Sequence, residues 1–264
     1  MTQAVCLSGA EVRIGGRRIL GPADLSIGKG QHWVLLGPNG SGKTTALTLM
    51  GAWRQPSGGT VEVLGERLGH VDVRRLRPRI GHVSHALAER LRGDLTVLDT
   101  VLTGKNATLV TWWQAFDDDD EARARALLDR VGCADLAMRS LATCSMGERQ
   151  RVLIARALFG AHDLLLFDEP AAGLDLPGRE QLVEAMTAAA QGPGDRTTVL
   201  ATHHLEEIPP TATHAALLRV GRIVASGTVD AVLADAPMSA CFELPVRVEH
   251  RDGRWSARVA RGSS

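Results

Sequence analysis

The stretch that most limits what this chain can become is Gly37-Pro38-Asn39-Gly40-Ser41-Gly42-Lys43-Thr44, which follows directly on the apolar run Trp33-Val34-Leu35-Leu36. It fits G-x-x-x-x-G-K-[ST], with a short buried strand before it and the helix-like Thr45-Ala46-Leu47-Thr48-Leu49-Met50 after it. Glycines at these places reach backbone angles closed to other residues, which turns successive N–H groups inward around an anion. The helix that follows adds the positive end of its dipole. Lys43 then reaches the terminal phosphates of a nucleotide, and the Thr44 hydroxyl ligates Mg²⁺.

The rest of the composition limits the partners. With 264 residues and 44% hydrophobic content the chain can bury a substantial core as one large domain or two small ones. Thirty basic side chains balance thirty acidic ones, so no nucleic-acid partner is indicated. Cys6, Cys133, Cys144 and Cys241 are widely spaced, without a CxxC pair, and read as packing residues of a reducing cytosol. Residues Met1 to Ile14 lack a basic segment followed by a long apolar run, so no secretory leader is expected. No window approaches the ~20 apolar residues that cross a bilayer. Any membrane role therefore needs another chain.

Taken in order, residues 1 to 36 alternate as strands do, with turns at Gly15-Gly16 and Gly28-Lys29-Gly30. Thr60 to Leu64 and Arg79 to His85 read as further strands. Residues 86 to 144 read as a mainly helical insert, with starts at Thr96 and at Asp117-Asp118-Asp119-Asp120. Four carboxylates opening an Ala/Arg/Leu-rich helix fit the field of a helix N-terminus better than a metal site. Trp112-Trp113 reads as core of the insert, with an exposed contact surface as the alternative. Ser145-Met146-Gly147-Glu148 has the capping-box pattern and starts a helix to about Gly160. Leu164-Leu165-Leu166-Phe167 suits a strand buried on both faces and ends in Asp168-Glu169. A helix from about Gly178 to Ala190, a strand Thr198 to Ala201 and His203-His204 continue a parallel-sheet alternation. Asp252-Gly253 then separates Val246 to His250 from Val259's strand as a terminal hairpin, read as an edge cover.

A phosphate loop together with a strand ending in two acids supplies a carboxylate for the Mg²⁺ shell and a second one to deprotonate water. With His203 and Ser145 to Arg151 added, these motifs resemble the ATP-binding subunits of ABC (ATP-binding cassette) proteins from about residue 4 to 235. Val83 to Arg90, Gly147 to Arg151 and Thr202 to Pro209 are similar to stand-alone bacterial ATP-binding proteins of the YlmA type. The fold class this implies is α/β: a P-loop NTPase core with a mainly parallel sheet, an N-terminal antiparallel β subdomain and a helical insert at about 86 to 144, followed by a C-terminal extension, 236 to 264.

By that resemblance Gly37 to Thr45 form the Walker A loop and Asp168 holds Mg²⁺ through water, beside Thr44. Glu169 corresponds to the general base, His203 to the switch histidine and Asp175 to the D-loop. Ser145, Gly147 and Glu148 occupy the signature, which contacts ATP held by another subunit. His85 stands where the family has a glutamine, and an imidazole there still reaches a metal-bound water. Three further departures are Ile14, where an aromatic commonly stacks on adenine, Cys144, in place of a leucine, and Met146, in place of a glycine. Either adenine binds more weakly or Arg13 or Arg17 stacks instead.

The function implied is an ATP-hydrolysing subunit that dimerises with a second copy, or a related cassette, around two ATP. It drives a separate membrane permease from the cytoplasmic face. The alternative is a soluble ATP-dependent switch, with weak turnover or none.

Overall fold

The computed structural model describes residues 2–84, 94–106, 116–191 and 196–260. Its central sheet has six strands in the order β10 (Arg222–Thr228), β9 (His214–Arg219), β3 (His32–Leu36), β8 (Thr197–Thr202), β7 (Leu164–Asp168) and β6 (Ile80–Ser84). All run parallel except β10, which is antiparallel to β9. Both faces of this sheet are covered, and the sequence of β7 shows the consequence. Leu165 and Phe167 enter one core while Leu164 and Leu166 enter another, so every position must be apolar. In β3 the same alternation sends Trp33 and Leu35 to one side and Val34 and Leu36 to the other.

The N-terminal portion is an antiparallel sheet of β2 (Arg17–Gly28), β1 (Gln3–Ile14), β4 (Gly58–Val63) and β5 (Glu66–Arg67), in that order. Helix α1 (Lys43–Met50) buries Ala46, Leu47, Leu49 and Met50 in one core with side chains of both sheets. A short helix, α2 (Val73–Leu76), leads into β6.

Within the insert, α3 (Val97–Leu102) is capped by Thr96, whose Oγ1 accepts from Asp99 N at 3.0 Å. Helix α4 (Asp118–Arg130) is capped by Asp117, whose Oδ1 accepts from Asp120 N at 2.8 Å. Asp120 in turn pairs with Lys105, which holds its carboxyl below the usual range. The acidic run therefore serves a helix start, and among the described residues no cluster of three or more metal-binding side chains occurs. Both helices pack with α5 (Met146–Phe159) and α6 (Leu176–Ala190) on the β7 side of the central sheet. Trp112-Trp113 lies outside the described residues. Cys133, Cys144 and Cys241 are buried packing residues and Cys6 is half-buried.

The terminal hairpin forms at the expected place, as β11 (Val246–Arg251) and β12 (Arg254–Val259), but it does not cover an edge. It makes its own two-stranded sheet. With α7 (Val229–Val232) and α8 (Asp235–Phe242) it lies against the β3 and β9 face, burying Val246 and Trp255 beside Val34, Leu36 and Leu217. Large apolar side chains need cover, and that face had none from the insert.

His162, just before β7, is 5% exposed, and its Nδ1 donates to the Pro78 carbonyl at 2.9 Å. Burial lowers its pKa from 6.5 to about 4, assisted by the Arg156 guanidinium. The unfolded chain therefore takes up this proton first, so the contribution to stability is full above pH 6.5 and is lost as the pH falls toward 4. Replacing His162 by Asn, which keeps a donor for Pro78, should reduce the stability lost between pH 7 and pH 5 by roughly 2 kcal/mol. Urea unfolding at the two pH values measures it, and an unchanged difference contradicts the assignment.

Candidate functional site

Three neighbouring strands bring the site together at their carboxyl ends. Strand β3 runs into the Gly37 loop, β7 ends at Asp168-Glu169, and β8, between them, runs into His203. Ligands of open α/β sheets sit at this end because the loops there diverge.

The loop lies tight on the sheet. At Gly37 (φ +156°) an added Cβ would stand 2.0 Å from the Leu218 carbonyl oxygen of β9, so no other residue fits there. Gly40 and Gly42 have φ of +75° and +104°, and α1 starts at Gly42 without a side-chain cap. Its first N–H groups are thus left for a ligand. Ser41 is buried, and its hydroxyl oxygen has no hydrogen-bond partner. Pro38 contributes its carbonyl to the loop, accepting from Ser41 N at 3.1 Å, while Asn39 and Thr44 are exposed and Thr45 half-buried.

Lys43 is only 4% exposed, and its ammonium donates to the carbonyls of Gly37 at 2.8 Å and Pro38 at 3.2 Å. It also stands 3.6 Å from Glu169 Oε1. Burial lowers the lysine pKa, and the Glu169 and Asp168 carboxylates oppose that shift. The Thr44 hydroxyl donates to Asp168 Oδ1 at 3.0 Å. Burial raises the Asp168 carboxyl above the usual range, against the effect of the Thr44 bond. His203 Nδ1 is 3.3 Å from the same Glu169 oxygen that faces Lys43. Glu169 itself has a left-handed backbone, φ +47°, with its N–H donating to Ala201 O at 2.9 Å.

Five of the expected residues, Lys43, Thr44, Asp168, Glu169 and His203, therefore form one connected set. The oxygen donors Thr44 and Asp168 suit a hard cation such as Mg²⁺, and the uncapped helix end, the orphaned Ser41 hydroxyl and Lys43 suit phosphate. His85 lies outside the described residues; Ser84, which precedes it, pairs with Asp168.

The other expected residues stand apart from this set. Ser145 Oγ accepts from Glu148 N at 3.3 Å, and Glu148 Oε2 accepts from Ser145 N at 2.7 Å, which completes a capping box at the start of α5. Gly147 packs near Leu174, and Asp175 caps α6, its Oδ1 accepting from Gly178 N at 3.0 Å. Among the described residues, no hydrogen bond or ion pair joins Ser145, Gly147, Glu148 or Asp175 to the loop. Ile14 is half exposed beside the Gly15-Gly16 turn, and the neighbouring Arg13 guanidinium faces Glu11. Two parts of the site had no sequence signal: the Leu218 carbonyl under Gly37, and a buried brace in which Thr202 Oγ1 donates to Glu207 Oε2 at 2.5 Å.

Residues 20–172 match the family model for ABC transporters. The chain belongs to the ABC transporter family. It is similar to a putative ABC transporter ATP-binding protein of Streptococcus mutans, 36% identical over 88% of this chain and 89% of that protein. It is also similar to the ABC transporter ATP-binding protein YlmA of Bacillus subtilis, 34% identical over 92% of each. In fold it matches an ATP-binding cassette solved as a dimer, in a post-hydrolysis state bound to ADP and Pi. The TM-score there is 0.74, with 24% identity over 85% of this chain and 98% of that one. The chain is thus an ATP-binding subunit of an ABC transporter, built on the cassette fold.

Removing the Lys43 ammonium from this cassette takes away a charge-assisted contact worth about 1.5–3 kcal/mol. Lys43→Ala should therefore bind ATP about 10- to 100-fold more weakly, measured by titration of a fluorescent nucleotide. Unaltered affinity would contradict the placement of phosphate in this loop.

Proposed function

We propose that this cassette hydrolyses ATP with Mg²⁺ at two sites shared between two subunits, and that opening and closing of the pair drives a separately encoded membrane permease. The observation that supports hydrolysis is the contact of one Glu169 oxygen with both Lys43 and His203, at 3.6 and 3.3 Å. In this reading Lys43 and the loop N–H groups of Gly37 to Thr45 hold the phosphates. Thr44 and Asp168 would hold the metal ion, which would supply neutralising charge. Glu169 takes the proton of a water as the water oxygen bonds to the γ-phosphorus and the bond to the β,γ-bridging oxygen breaks, leaving ADP and phosphate. His203 keeps the base in line, and His85 takes the place of the family's glutamine.

Pairing is supported by the second set of residues. Among the described residues the α5 helix start at Ser145 shares no hydrogen bond or ion pair with the phosphate loop, and Met146 and Leu176 are exposed apolar side chains. Ser145, Gly147, Glu148 and Asp175 would then complete the partner's site. ATP stabilises the closed pair by mass action, and hydrolysis withdraws that stabilisation. No helix among the described residues is long and apolar enough to cross a membrane. The cassette proper is taken as residues 1–235 and the extension as 236–264, with the complex on the cytoplasmic face of the membrane.

Turnover of purified protein should rise faster than linearly with its concentration, and Glu169→Gln should abolish it while ATP accumulates the dimer. Phosphate release and analytical ultracentrifugation read the two. If the wild type releases no more phosphate than the mutant at any concentration, the reading as an ATP-dependent switch takes its place.

A further inference from the structure

Arg254 opens strand β12 but makes its contacts outside the hairpin. Its Nη1 donates to Glu180 Oε2 at 2.5 Å, and its Nη2 donates both to Glu180 Oε1 at 3.1 Å and to the main-chain oxygen of Glu206 at 2.6 Å. A planar guanidinium grips the carboxylate with both arms while one of them also serves the carbonyl, a fork that an ammonium does not reproduce. Glu180 lies on α6, the helix capped by Asp175. Glu206 belongs to the turn Leu205–Glu207, directly after His203-His204. The hairpin that carries Arg254 is itself held firmly: Trp255 is 7% exposed, stacks on His250 at 4.0 Å and shares a core with Leu205 and Ile208.

We propose that Arg254 is a positioning residue of the ATPase site, fastening the turn behind His203 to α6 so that the imidazole stays within reach of Glu169. The inference rests on the hydrolytic reading above. Besides the burial of Leu205 and Ile208, the turn has two side-chain braces. On its inner side Thr202 Oγ1 bonds Glu207 at 2.5 Å and accepts from His204 N at 3.0 Å; on its outer side only the fork of Arg254 reaches the Glu206 carbonyl among the described residues. His203 Nδ1 and Glu169 Oε1 are 3.3 Å apart, near the limit of a hydrogen bond, so a small outward shift of the turn breaks the contact. The phosphate loop, anchored on β3 and α1, does not share these braces. Loss of Arg254 therefore affects the chemical step and spares nucleotide binding.

The test compares wild type, Arg254→Met, Arg254→Lys and Glu169→Gln by steady-state ATP turnover and by titration of a fluorescent ATP analogue. The imidazole signal of His203 is followed by NMR in the full chain without nucleotide, assigned with His203→Ala. Arg254→Met is expected to lower kcat about tenfold while KM and the analogue's Kd stay within about twofold of wild type, and to shift the His203 signal. Arg254→Lys, which keeps the charge on Glu180 and loses the carbonyl, should also lower kcat and move the signal. It carries the test if the Met variant does not fold. An active wild type with kcat unchanged in the variants, or with KM and kcat falling together, overturns the proposal. So does an unmoved His203 signal. A wild type no more active than Glu169→Gln instead removes the hydrolytic reading, and the NMR comparison then still decides whether Arg254 positions His203.

Discussion

An ammonium taken out of water has to be surrounded by oxygen, and the core of this cassette is arranged to do that for Lys43. Two carbonyls of its own loop and one carboxylate from β7 supply the oxygens. Without them a charge at 4% exposure would be far too costly to bury. The demand spreads outward. To reach Glu169 the lysine must cross the end of β8, so the loop has to lie close on the sheet, and Gly37 has to sit against the Leu218 carbonyl with no side chain between. A sheet that presents three strand ends at such fixed spacing has to be held from both faces, which is what the two cores meeting at β7 do.

The parts of this arrangement that the sequence made legible are those decided within a few residues. The loop pattern, the continuous apolar run of β7, the caps at Thr96, Asp117 and Ser145 and the turn at Asp252-Gly253 each carry their chemistry locally. Helix α6 starts two residues before the expected Gly178, because Asp175 caps it and Pro177 fits its first turn. Long-range choices left no such mark. Nothing near Thr197 says that β8 inserts between β3 and β7, and nothing near Arg254 points to Glu180, 74 residues away. These pairings follow from how the sheet closes. The local pattern, which records only which faces are apolar, is the same for several closures.

Ser145 and Asp175 both serve as helix caps. Each side chain already accepts a bond from its own helix, Glu148 N in one case and Gly178 N in the other. These residues are therefore held in one orientation by their own helices, which on the proposed pairing would lower the entropy lost on association. Met146, exposed next to Gly173, gives this surface an apolar and adaptable side chain.

The C-terminal residues have a further consequence for the chain as a material object. Trp255, Val246, Met238 and Cys241 share a core with Val34 and Leu36 of β3, the strand that leads to the nucleotide loop, and with Ala215 and Leu217 of its neighbour β9. A chain cut short at residue 235 would keep Ile208, Val229, Val232 and Leu233 against that row but would open part of it to water. Its expected fate is self-association and loss from solution, so solubility limits how much of this tail can be removed.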